Sequence, residues 1–174
     1  MSAPFSHVVR VDAIPKEGQT VALEANAAER ETLASLYGLP SIEALRASLE
    51  LRPAPRAGVR VTGAVHGLVT QTCVISLEPF QAVVDEAIDV RFAPPSTEQE
   101  EESDEPQTFA VEDEDEPDPI IDGKIDIGAL TAEFFALGLD PYPKKPGATF
   151  AFRTDEGEIA SPFAALVEHQ PKRD

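Results

Sequence analysis

Basic residues are scarce in this sequence: Lys and Arg together number 14 against 32 Asp and Glu in 174 residues, a formal charge of −18. A general binder of nucleic acid or of a membrane surface needs a basic face to meet phosphate, so DNA and membrane drop out as expected partners. Cysteine is scarcer still. Cys73 stands alone, which excludes an internal disulfide framework and any cysteine-rich zinc site, and fits a reducing compartment. Tryptophan is absent while proline reaches 16, the marks of a loop-rich molecule. No apolar run approaches the ~18 residues a membrane helix needs. The first residues, MSAPFSHVVRVDAIPKEG, lack the basic-then-apolar order of a secretory signal, so a cytoplasmic protein is the expectation. What remains is one domain's worth of chain, 42% apolar, enough for a single core.

The charge is unevenly placed. Residues 98–118 hold 12 acids and no Lys or Arg, while elsewhere 20 acids face 14 bases, so two thirds of the net charge sits in EQEEESDEPQTFAVEDEDEPD. Such a run repels itself and buries little. It predicts a long acidic, disordered loop at 95–119 within one domain, between a sheet-and-helix part at 1–94 and a helical, proline-rich part at 120–174.

Hydrophobic spacing predicts the elements. Residues 5–11 read as a strand, paired with 20–24 through a turn at 15–18. Asn26, with Glu29 three residues on, has the form of a capping box for a helix over 27–37 that carries Leu33, Leu36 and Tyr37 on one side and ends at Gly38. Ser41 is expected to cap a short helical turn. From Leu45 the chain alternates, with Leu45, Ala47, Leu49 and Leu51 inward and Arg46, Ser48, Glu50 and Arg52 outward. A second run puts Val59, Val61, Val65 and Val69 on one face together with Gly63 and Gly67, glycines that point to bulges or close backbone approach. A third aligns Val84, Ile88, Val90 and Phe92, with residues 73–80 as the corner before it. The expected fold is therefore α+β: an antiparallel meander covered by helices, the one at 27–37 being the nearest cover. Asp126 is expected to cap a second helix with the stripe Ile127, Leu130, Phe134 and Leu137. Three prolines in DPYPKKPG (140–147) forbid helix there. Phe150 with Phe152 suggests a short strand, and Ser161-Pro162 opens a last helix to 167.

Catalytic and ligand motifs are largely missing. His7, His66 and His169 lie far apart, and Ser76 stands where a CxxC partner of Cys73 would be. A tetrahedral zinc site would need distant single residues brought together. Asp118, Asp122 and Gly123 echo a calcium loop, but Ile120 and Ala129 occupy positions that must supply oxygen. No GxxxxGK[ST], GxGxxG or GxSxG occurs. Arg46, Arg52, Arg60 and Arg91, with Arg56, fall on the outward register of the strands and form a candidate RNA-phosphate contact patch. The plainer reading, favoured because residues 41–94 hold five bases and six acids, is a solvated sheet face with cross-strand pairs such as Arg60 with a carboxylate.

Two stretches carry a resemblance: CVISLEPFQAVVDEAIDVRF (73–92) and DGKIDIGALTAEFFALGLDPYPKKPGA (122–148). Together they resemble the YceD family, the large-subunit (23S) ribosomal RNA accumulation proteins, and the acidic insert and DPYPKKPG resemble its alphaproteobacterial branch. The likeness is read from Phe5 to Ala148. The matching positions are Cys73, Leu77, Glu78, Pro79 and Phe80, then Asp126, Leu130, Glu133, Leu139, Pro141 and Pro143. The family often has a second cysteine where this chain has Ser76, so a family-wide metal site does not carry over. The resemblance implies a role in making or stabilising 23S ribosomal RNA and supplies no catalytic residues and no cofactor.

The same positions have a physical reading. Leu77, Pro79 and Phe80 shape a corner, and Asp126 is a helix cap. Tyr142, Lys144 and Lys145, displayed on a proline-stiffened segment, have the form of a low-entropy docking element. Two functions follow as expectations. One is a non-enzymatic factor that binds a ribosomal protein or a large-subunit precursor particle and meets ribosomal RNA indirectly, with the acidic tract attracting a basic partner. The other is an RNA-processing or RNA-modifying enzyme without a recognisable motif. A mimic of nucleic acid is disfavoured, because the acids lie in one tract and not on a fixed face.

Overall fold

The computed structural model describes residues 4–95 and 117–150. Most of the acidic tract, the strand expected at Phe152 and the helix expected at 161–167 lie outside the described residues. Within them the chain forms β1 (Val8–Arg10), a 3-10 turn (Val11–Ala13), β2 (Gln19–Glu24), α1 (Ala27–Tyr37), β3 (Ser41–Ala54), β4 (Gly58–Thr72) and β5 (Pro79–Ala93). Then come β6 (Asp118–Pro119), β7 (Lys124–Asp126) and α2 (Ile127–Leu137). This is the α+β class expected from the sequence.

The alternating runs become the sheet. β2, β3, β4 and β5 lie side by side in chain order, all antiparallel, and β6 adds in parallel beside the end of β5. Leu45, Ala47, Leu49 and Leu51 of β3, Val59, Val61, Val65 and Val69 of β4, and Val84 and Ile88 of β5 are buried on one face. Each buried Leu, Val or Ile among them contributes about 1.5–3 kcal/mol, and a slip of one residue would expose them all, so the pattern specifies the register. The two glycines in the interior of β4 are close approaches. A Cβ on Gly63, whose φ is +155°, would strike the Ser48 carbonyl of β3, and one on Gly67 would strike the Phe135 ring of α2.

Both helices pack on that face. Asn26 Oδ1 accepts from the amides of Ala28 and Glu29 at 3.0 and 3.1 Å, and Glu29 returns a bond to the Asn26 amide at 2.7 Å, the capping box read from the sequence. Gly38 closes α1 in the left-handed conformation at φ 66°. The Tyr37 hydroxyl donates to the Ala132 carbonyl at 2.9 Å, and its ring meets Phe135 at a centroid distance of 6.1 Å, so the two helices hold one another.

Four expectations are corrected. Residues 20–24 do not pair with the first strand. β2 joins β3, and β1 joins β7, more than a hundred residues away, in a separate two-stranded sheet. The turn at 15–18 does form, with Gly18 N donating to Pro15 O at 2.9 Å, but it leads away from β1. Ser41 caps no helical turn: it opens β3, where Ile42 is buried and a register shift between Ile42 and Ala44 absorbs the bend from the helix. Leu36 is 63% exposed, because α1 turns Leu33 and Ala34 to the core instead. On α2 the buried face runs through Ile127, Leu130, Thr131 and Phe135. Phe134 is only half-buried and Leu137 is exposed, because Phe135 takes the space over Gly67 and rotates the stripe.

Candidate functional site

The turn between β4 and β5 and the proline-rich segment after α2 meet at one corner, and most of the residues singled out from the sequence lie there. The turn is closed twice: Cys73 N donates to Glu78 O and Leu77 N to Cys73 O, both at 2.9 Å. Leu77 adopts a left-handed φ of 59°, so its side chain is thrown outward. Pro79 opens β5 at a position a strand tolerates for proline. Cys73 is buried, and its Sγ accepts from the amides of Ile75 at 3.4 Å and Ser76 at 3.5 Å. The Ser76 hydroxyl and then its amide, opposed by burial, hold the thiol down to about 6.

The segment at 140–148 is clamped onto this turn. Val74 N donates to Pro143 O at 2.9 Å, Lys145 Nζ meets Glu78 Oε2 at 2.9 Å, and Gln71 Nε2 donates to Asp140 O at 3.1 Å. Tyr142 N donates to Asp140 Oδ1 at 2.8 Å, a side-chain-closed turn that sets the direction of the tyrosine. The salt bridge lowers the Glu78 carboxyl and raises the Lys145 ammonium from their ordinary ranges. The result is a braced corner displaying Leu77 at 76% exposure, Tyr142 at 72% and Val74 at 46%, with Pro141 and Lys144 beside them. Phe80 and Pro143 are half-buried beneath. Exposed apolar groups on a braced backbone make this corner a candidate contact surface, since the backbone needs no further ordering when a partner arrives.

Sequence reading placed Leu77 in the shape of the corner and left Val74 unmentioned. Both are display residues. The available signal was an apolar side chain inside a tight turn, where a polar one is usual.

The other singled-out residues lie elsewhere. Asp126 caps α2 through Gly128 N at 3.1 Å and Ala129 N at 3.0 Å, and also takes His7 N at 2.8 Å and the Ser6 hydroxyl at 2.6 Å, binding the N-terminal segment to the helix. Burial opposes its ionisation, but the Ser6 hydroxyl and the three amides together hold its carboxyl below the ordinary range. Glu133, exposed on α2, lines a cleft of about 390 Å³ with Arg60, Asp89, Arg91 and Asp118.

Three of the four arginines share one row of the sheet and the fourth lies apart. Arg52, Arg60 and Arg91 sit opposite one another across β3, β4 and β5, while Arg46 pairs in register with His66, in a separate row. Arg60 grips Asp89 with two bonds of 2.8 and 2.7 Å, Arg52 meets Glu50 at 2.7 Å and Arg46 meets Glu24 at 3.4 Å. The Arg60 pairing is the cross-strand arrangement expected of a solvated sheet face.

Comparison with known proteins gives one family. The model of the large ribosomal RNA subunit accumulation protein YceD matches residues 61–166, more than half of the chain. That range takes in nearly all of β4, then β5, α2 and both partners of the corner, whereas the residue reading extends the likeness back to Phe5. No curated protein and no solved structure matches.

Proposed function

The chain belongs to the YceD family of large ribosomal RNA subunit accumulation proteins, and we propose that it serves accumulation of 23S ribosomal RNA by binding, not by catalysis. The partner is a ribosomal protein or a large-subunit precursor particle in the cytoplasm, and ribosomal RNA is reached through that partner. One observation carries the reading: the braced corner, where Leu77, Tyr142 and Val74 are displayed on a frame held by the Val74–Pro143 and Lys145–Glu78 bonds. It is built from the two stretches that first suggested the family, and Leu77, Glu78, Pro141 and Pro143 of the matching positions lie in it. The acidic tract at 98–118 attracts a basic partner over a distance of about one Debye length, ~8–10 Å, and so raises the association rate at low salt.

Sedimentation of a host extract tests this. Tagged protein is expected to travel with large-subunit precursors, and a Leu77→Asp/Tyr142→Ala variant of unchanged stability to stay at the top of the gradient. Co-sedimentation that ignores the corner variant would refute docking there. Cleavage or modification of precursor ribosomal RNA by the purified protein, with or without Mg²⁺, would replace the binding reading by the enzymatic one.

A further inference from the structure

We infer that the open edge of β5 accepts an extended, Lys- or Arg-rich segment of a partner protein as an added strand. β4 pairs with β5 along nearly its whole length, from Val59 opposite Phe92 to Thr72 opposite Pro79. On the other side, among the described residues, only Phe92 and Ala93 have a strand neighbour, the two residues of β6. Residues 79–90 therefore present, among the described residues, an edge on which every second backbone N–H and C=O points away from β4. The opposite edge of the sheet, β2, is only six residues long.

Charge selects the occupant. β5 carries Asp85, Glu86 and Asp89, with Arg91 near its end. Asp85 contacts His66 and Asp89 is gripped by Arg60, but Glu86 occupies an inward slot of the register between Val84 and Ile88. Gly138, after α2, leaves it room, since a Cβ there would strike the Glu86 side chain and stand 2.7 Å from Val84 Cγ1. An inward-pointing carboxylate on an edge strand opposes pairing with an apolar strand, and a cation on the incoming strand offsets that cost as an opposite-charge cross-strand pair. The carboxylate also disfavours a second copy of this chain in the antiparallel register that sets Glu86 opposite Glu86.

Two further features lie along the same edge. The cleft where β5 meets α2 and β6 brings Glu133 and Asp118 beside Asp89, with Arg60 and Arg91 in the same lining, and Leu137, 70% exposed, borders it. Val83, 69% exposed, lies on the outer face of the strand. An added strand of alternating cationic and apolar residues would thus meet carboxylates and aliphatic groups flanking the edge. The inference deepens the proposed function by giving the chemistry of the partner, and rests on that reading only for where the segment comes from.

The test uses the full chain and a short fluorescent peptide of alternating Lys and Val, read by anisotropy and by amide exchange. The peptide is expected to bind, to slow exchange along 79–90, and to lose affinity about tenfold or more when all its backbone amides are N-methylated, because the charges then remain but the ladder cannot form. Glu86→Lys is expected to weaken it. Glu133→Lys, at an exposed helix position, is expected to do so without touching the sheet. Equal binding of the methylated twin, no binding at all, or protection confined to β2 would overturn the inference. So would a dimer of the chain that protects β5 without peptide, or an RNA oligonucleotide that protects it instead. Because the peptide is synthetic, its result is independent of whether 23S ribosomal RNA depends on this protein.

Discussion

Phe135 of α2 lies directly over Gly67 of β4, its ring in the place where any other residue would carry a Cβ. The contact sets the rotation of α2 and so the direction in which the proline-rich segment leaves it. Gly67→Ala is expected to lower the unfolding free energy by about 1–3 kcal/mol through overpacking. A second change, Phe135→Leu, should recover part of the loss, and denaturant unfolding of the single and double variants measures it. Additive losses would show that the two residues are not coupled.

Asp126 binds four donors from two segments, so its removal should be felt twice. Asp126→Ala is expected to cost about 1–2 kcal/mol as a lost cap alone, and more for the released N-terminal segment. The sign with pH follows from its depressed carboxyl. Its contribution is full above the ordinary value of 3.8 and fades as the pH falls through the lower folded value, so the wild type loses stability on acidification faster than Asp126→Asn. Thermal unfolding between neutral and strongly acidic pH measures the difference.

The Cys73 thiol is depressed from 9.0 to about 6. Thiolate absorbance is therefore expected to titrate near pH 6 in the folded protein, and to move upward in Ser76→Ala. A depressed group adds stability fully above its unfolded value and loses it as the pH falls through the folded one. Stability should thus rise with pH between about 6 and 9. Cys73→Ala should flatten that rise.

Leu77 allows stability to be separated from docking. Its left-handed φ of 59° is a strain that glycine does not feel, so Leu77→Gly should unfold about 0.5–1 kcal/mol harder than wild type. It should nevertheless bind precursor particles less, because the exposed side chain is gone. A variant that is both more stable and fully associated would remove Leu77 from the surface.

The parts of the fold legible in the sequence were those that depend on near neighbours. Alternation along β3, β4 and β5 and the capping chemistry of Asn26 and Asp126 are written in spacings of two to four residues. Pairing of β1 with β7 is not, because Val8 and Asp126 meet across more than a hundred residues and either of two strands satisfied the pattern of β1. Phe134 and Phe135 fit a helical stripe almost equally, and the choice between them was made by a glycine on another element. For the candidate site the residues could be gathered but their assembly could not: Glu78 and Lys145 are 67 positions apart, and no local spacing records that they meet.

The most direct test of the account is the ratio of 23S to 16S ribosomal RNA in host cells depleted of this protein and supplied with either the wild type or the Leu77→Asp/Tyr142→Ala variant. The account predicts a selective fall in 23S on depletion, restored by the wild type and not by an equally stable, equally abundant variant. An unchanged ratio on depletion, or full restoration by the variant, would contradict it.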